Sequence, residues 1–173
     1  MTLEPQKLAE QGKKEFAAKK FEQAAAAFIE AATSYEKLDD LLNAAEMKNN
    51  LSVALLQTGK AQEAYEAAAG TNEVFAQAGD LKRQAMAFGN QAAALEALKK
   101  VDEALEAYER SAALFAEVGE GDMRSMVLQS AAALKLKRGK MVDSALAMIG
   151  SVESTHKPNL VQRFLKFLLR IKP

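Results

Sequence analysis

Between Phe21 and Leu38 the apolar residues Phe21, Ala24, Ala25, Phe28, Ala31, Ala32, Tyr35 and Leu38 fall at the i, i+3, i+4, i+7 spacing of one helix face. Glu22, Gln23, Glu30, Glu36 and Lys37 fill the opposite face. The pattern then returns at a step of 40 residues. The pairs Lys19-Lys20, Gly59-Lys60, Lys99-Lys100 and Gly139-Lys140 keep that step. Behind them stand Gln23, Glu63, Glu103 and Asp143, followed by Ala24, Ala64, Ala104 and Ser144. Tyr35, Phe75 and Phe115 share one phase; so do Asn50, Asn90 and Ser130, Leu55 and Leu95, and Ala45, Ala85 and Ser125. An alanine-rich composition alone does not align so many different residue types at one offset.

Each repeat reads as two helices of about 17 residues, ~25 Å long at 1.5 Å per residue. Gly59 and Gly139 suit helix C-caps. Gly79-Asp80 and Gly119-Glu-Gly-Asp122 end second helices and open the next ones, with Asp80 and Asp122 suited to N-capping. No stretch alternates with period two between turn residues, so no sheet is expected. Ala64, Ala92 and Ala104 let paired backbones approach, and Phe28, Phe75, Tyr108 and Phe115 fill the space between pairs. One pair alone cannot bury its apolar face, so the pairs are expected to stack into a solenoid. Gly70, inside the second helix of repeat 2, costs about 1 kcal/mol relative to Ala and marks a kink or a close contact.

Composition narrows the function classes. The 173 residues, 49% hydrophobic and 27% charged, describe an ordinary globular protein. The absence of Cys removes disulfides, thiolate metal sites and a cysteine nucleophile. The single His, His156, sits in the turn Ser154-Thr-His-Lys-Pro158 and reads as a capping or solvated residue. Gly119-Glu-Gly121 lacks the third glycine of a dinucleotide loop, and Gly59-Lys60 and Gly139-Lys140 lack the frame of a phosphate loop. Asp39-Asp40 reads as an inter-helix turn, without calcium-loop spacing. We therefore expect no enzyme, no cofactor and no metal. Met1 to Glu10 is too polar for a signal peptide and no run spans a bilayer, so a cytoplasmic protein is expected. Asn50-Leu51-Ser52 is formally a glycosylation sequon, inside a helical pattern, and reads as chance.

The charge, 23 basic against 23 acidic residues, hides an asymmetry. Residues 157–173 carry five bases and no acid, leaving 18 bases and 23 acids in residues 1–156. A uniformly basic nucleic-acid binder is excluded. From Pro158 a helix is expected, with Gln162, Arg163, Lys166 and Arg170 as its polar stripe and Leu160, Val161, Phe164, Leu165, Phe167, Leu168, Leu169 and Ile171 around it. It reads as a cap on the last repeat. The alternatives are that it folds back into the groove of its own chain, enters that of a neighbouring chain as a homodimer, or makes a membrane-surface contact through residues 158–172.

The string Ala104-Leu-Glu-Ala-Tyr108, with Val101, Asp102 and Glu103 before it and Ser111 after it, resembles the second helix of a tetratricopeptide (TPR) repeat. Gly79-Asp80-Leu-Lys-Arg-Gln-Ala85-Met-Ala-Phe88-Gly-Asn90 resembles the 40-residue repeats of kinesin light chains and Leu-Gly-Asn-repeat spindle adaptors. Related helical pairs occur in soluble NSF attachment proteins. The chain departs from the pattern at Lys48 and Leu128, where no large aromatic opens the first helix, and no Pro ends a repeat.

The resemblance implies an all-α, right-handed superhelical solenoid of four helix-turn-helix pairs plus a C-terminal helix, about nine helices. The repeats are set at about 6–40, 41–80, 81–120 and 121–155, followed by the basic helix 157–173. It also implies a protein-binding adaptor whose first helices line a concave groove for a partner's peptide or helix. By register the groove residues are Lys13 and Phe16; Asn49, Asn50, Val53, Leu56 and Gln57; Gly89, Asn90, Ala93 and Glu96; and Gln129, Ser130, Ala133, Leu136 and Lys137. An Asn side chain both donates and accepts, so Asn50 and Asn90 suit a peptide backbone. The carboxylate-clamp form of TPR binding is not expected, because its basic positions carry Ala9, Met86 and Met126, with Lys13 alone.

Overall fold

A computed structural model describes residues 4–153, with side chains through Val142. The chain runs α1 (Pro5–Ala17), α2 (Phe21–Lys37), α3 (Leu41–Gln57), α4 (Ala61–Ala68), α5 (Thr71–Gln77), α6 (Leu81–Ala97), α7 (Val101–Glu117) and α8 (Gly121–Glu153). Among the described residues there is no strand. Consecutive helices pack against each other, α1 on α2, α3 on α4 and α5, α6 on α7, and the pairs stack through α2 on α3 and α6 on α3 and α4. The expected all-α helical-repeat class is borne out.

The 40-residue period resolves into two half-steps of 20. Lys19, Asp39, Gly59, Gly79, Lys99 and Gly119 all have positive φ, between 59° and 78°. After each, the next amide reaches back five residues: those of Lys20, Asp40, Lys60, Asp80, Lys100 and Glu120 donate to the carbonyls of Glu15, Tyr35, Leu55, Phe75, Leu95 and Phe115 at 2.9–3.0 Å. This satisfies carbonyls that the last helical turn leaves open. Asp40 and Asp80 then cap the next helices, accepting from the amides of Asn43 (3.2 Å) and Arg83 (2.8 Å). Asp122 does not cap. It lies within the first turn of α8, which opens one residue earlier at Gly121.

Two expectations need correction. The second helix of repeat 2 is broken rather than kinked, because Gly70 takes φ +75° and separates α4 from α5. The break exposes the Ala68 carbonyl, which accepts from the Thr71 hydroxyl (2.8 Å) and the Gln91 amide of α6 (3.0 Å). The turn expected at Gly139-Lys140 is also absent. Gly139 is not among the left-handed residues, and α8 continues through it for 33 residues. Gly is tolerated inside a helix at about 1 kcal/mol, so its presence permits the turn without enforcing it. The C-terminal helix expected over 157–173 and His156 lie outside the described residues.

The core follows the repeat. Ala64, Ala92 and Ala104 are fully buried, and Phe28, Phe75, Tyr108 and Phe115 are each at most 6% exposed. Gly12 sits so close to Phe28 that a Cβ there would lie 2.5 Å from the ring. Compactness divides the chain into two units, residues 1–134 and 135–173.

Candidate functional site: clefts along the first helices

Within the first unit, α1, α3, α6 and the start of α8 form a row. Lys13 of α1 stands 4.0 Å from Glu46 of α3, and Arg83 of α6 pairs with the same Glu46 at 3.1 Å. Arg83 also pairs with Asp80 at 2.6 Å and lies over the Phe75 ring, 5.2 Å from its centroid. The backbone N–H of Arg83, then its side chain, hold the Asp80 carboxyl below the usual range. One guanidinium thus ties the α6 cap to α3.

Two clefts open in this row. The first, about 250 Å³, is lined by Lys13, Phe16, Phe28, Glu46, Asn50 and Val53. The second, about 230 Å³, lies between α6 and α8, where Met86, Gly89, Asn90 and Ala93 face Met123, Met126, Val127 and Ser130 over a floor of Tyr108 and Phe115. The expected groove residues Lys13, Phe16, Asn50 and Val53 therefore meet in one cleft, and Gly89, Asn90, Ala93 and Ser130 in the other. Asn50 and Asn90 occupy the same phase in each.

The remaining candidates are placed differently. Asn49 is 6% exposed and points into the pair, where its amide oxygen accepts from the Thr71 hydroxyl at 3.1 Å. Leu56 packs against the first core cluster and Gln57 is exposed at the end of α3. Glu96 accepts from the Tyr108 hydroxyl at 3.1 Å. Burial, and then the Glu96 charge and hydrogen bond, push that hydroxyl up to about 12. Gln129 faces a separate cleft on α8, Ala133 is exposed, and Leu136 and Lys137 are exposed on α8 beyond Leu134.

The groove register leaves out Glu46 and the methionines Met86, Met123 and Met126. Glu46, Met86 and Met126 keep the 40-residue step, which was the available signal. Met is flexible and polarizable and suits a surface that adapts to its ligand. The acid sits elsewhere: α2, α4, α5 and α7 together carry 11 acidic residues and 2 basic ones, whereas α1, α3 and α6 carry 4 and 6. The clefts therefore lie on the less acidic layer. Among the described residues no group of His, Asp and Glu converges as a metal site, and no helix is long and apolar enough to cross a membrane.

The family model of the soluble NSF attachment proteins (SNAP) matches residues 8–165, most of the chain. The chain belongs to that family. No curated protein and no solved structure matches it. The sequence resemblance had set soluble NSF attachment proteins beside the TPR repeats, and the family match selects them. A SNAP-family chain is a TPR-like helical adaptor that binds protein partners. The row of clefts lies on one face of this SNAP repeat stack.

Proposed function

We propose that the chain is a non-enzymatic, cytoplasmic adaptor that holds a peptide or helix of a partner protein along the row α1, α3, α6 and α8. The observation that carries this reading is the repetition of a cleft with an Asn at the same phase, Asn50 in one and Asn90 in the other. A ligand backbone lying along the row would meet a donor and an acceptor in each repeat, with Phe16, Val53 and the three methionines covering its apolar side chains. The small residues Gly89 and Ala93 let it approach the helix backbone. The 40-residue step favours the long TPR type, and residues 157–173 are read as a cap. The family name makes NSF the first partner to test.

The test is capture by the immobilised full chain of purified NSF and of proteins from native extract, identified by mass spectrometry. Asn50→Ala combined with Asn90→Ala removes capture and leaves the melting temperature unchanged, since both residues are only partly buried. Capture undiminished in the double variant removes the clefts from the function.

A further inference from the structure

The break at Gly70 opens a further cleft, of about 180 Å³, where α2 and the α4–α5 junction meet over α3. Its α3 wall is Leu41, Ala44, Ala45 and Lys48. These stand roughly 150° round the helix from Glu46, Asn50 and Val53, so the cleft opens away from the row described above. Gly70 and Val74 close the other side, and the Glu36 carboxylate of α2 reaches in to pair with Lys48.

The next pair of helices shows what fills this place when the chain supplies it. Arg110 of α7 lies over the Phe88 ring of α6, 5.7 Å from its centroid. Forty residues earlier those two positions carry Gly70 and Lys48. Repeat 2 therefore keeps a cation, now on its first helix, and has no ring to set against it. The walls suit one: Ala44 and Ala45 are buried, Val74 is half-buried, and Leu41 leaves 54% of its surface uncovered. The volume falls below the ~300 Å³ at which small-molecule sites begin, and matches a single anchoring side chain of a larger ligand.

The surround is acidic. Helices α2, α4 and α5 carry six acidic residues and one basic residue. Glu73 leans over the break, its carboxylate 3.8 Å from where a Cβ on Gly70 would lie, and no ion pair engages it among the described residues. We propose that this cleft is a second docking site, which takes an aromatic side chain from a basic segment of a partner protein. The ring enters against Lys48 and the apolar wall, and an adjacent Arg or Lys of the partner pairs with Glu73. A buried aromatic is a frequent anchor of protein contacts, and a cation over its face adds to the attraction. This surface stands apart from the clefts with Asn50 and Asn90, and neither site depends on the other.

The test titrates the full chain, labelled at its Leu and Val methyl groups, with a short Gly/Ser peptide that carries Arg-Phe-Arg at its centre. The Leu41 and Val74 signals shift and saturate, while Val53 and Val127, which line the two clefts of the row, stay in place. The same peptide with Arg-Ala-Arg binds about tenfold more weakly, and one with Glu-Phe-Glu does not bind. Glu73→Lys and Leu41→Ser, both at exposed positions, each weaken the Arg-Phe-Arg peptide and leave the melting temperature and helicity unchanged. Asn50→Ala with Asn90→Ala leaves its affinity as it was. Leu41 and Val74 signals that do not move would overturn the site. So would equal binding of the Ala or Glu peptides, or an affinity that neither Glu73→Lys nor Leu41→Ser lowers.

Discussion

Three of the six left-handed turn residues carry side chains: Lys19, Asp39 and Lys99. A side chain in that region costs roughly 1–2 kcal/mol, partly offset because Gly loses more entropy on folding. Lys19→Gly and Lys99→Gly should therefore each stabilise the chain by about 0.5–1 kcal/mol, read from denaturant midpoints. Gly59→Ala should destabilise it by a similar amount through the backbone alone, because nothing lies within 4 Å of a Cβ there. At Tyr108 the effect depends on pH. Its hydroxyl is raised to about 12 in the fold and returns to about 10 on unfolding. The folded state then holds the proton more tightly, so this stabilisation is complete below pH 10 and is lost as the pH rises towards 12. Alkaline melting of Tyr108→Phe should lose this part of the slope.

Among the elements, the broken helix is the one with a cost to offset. Gly70 frees the Ala68 carbonyl, and side chains from three helices close over the gap: Thr71 from α5, Asn49 beside it from α3, and Gln91 from α6, which also donates to Asn72 at 2.9 Å. Thr71→Val leaves buried polar groups short of a partner and should cost about 1–3 kcal/mol in equilibrium unfolding. The sequence marked Gly70 as an anomaly, but the partners that make a break stable come from 19 to 23 residues away. Asn49 was illegible for the same reason. It adjoins Asn50 in sequence, yet neighbouring helix residues point about 100° apart, and only packing shows that one faces Thr71 and the other a cleft. Gly139 misled in the opposite sense. It matches Gly59 in sequence, but a glycine occupies helical or left-handed backbone at small difference in cost.

At the scale of the molecule, the repeat was legible because each pass buries the same face against its neighbour. Phe28, Phe75, Tyr108 and Phe115 are buried where the periodicity puts them. Phe115→Ala should cost roughly 3–5 kcal/mol, seen as a large fall in thermal midpoint; an unshifted midpoint would contradict the packing. Half of the site was legible as well. Asn50 and Asn90 stood out through their common phase, whereas Met86, Met123 and Met126 form a wall only once α8 lies beside α6.

The central claim is that a partner lies in these clefts, and methyl resonances of methionine test it directly. The full chain, labelled at its methionine methyl groups, is titrated with the captured partner. The account predicts that the Met86, Met123 and Met126 signals shift or broaden together, while that of Met47, 2% exposed in the core, stays in place. Partner binding that leaves all three cleft methionines unmoved would contradict it.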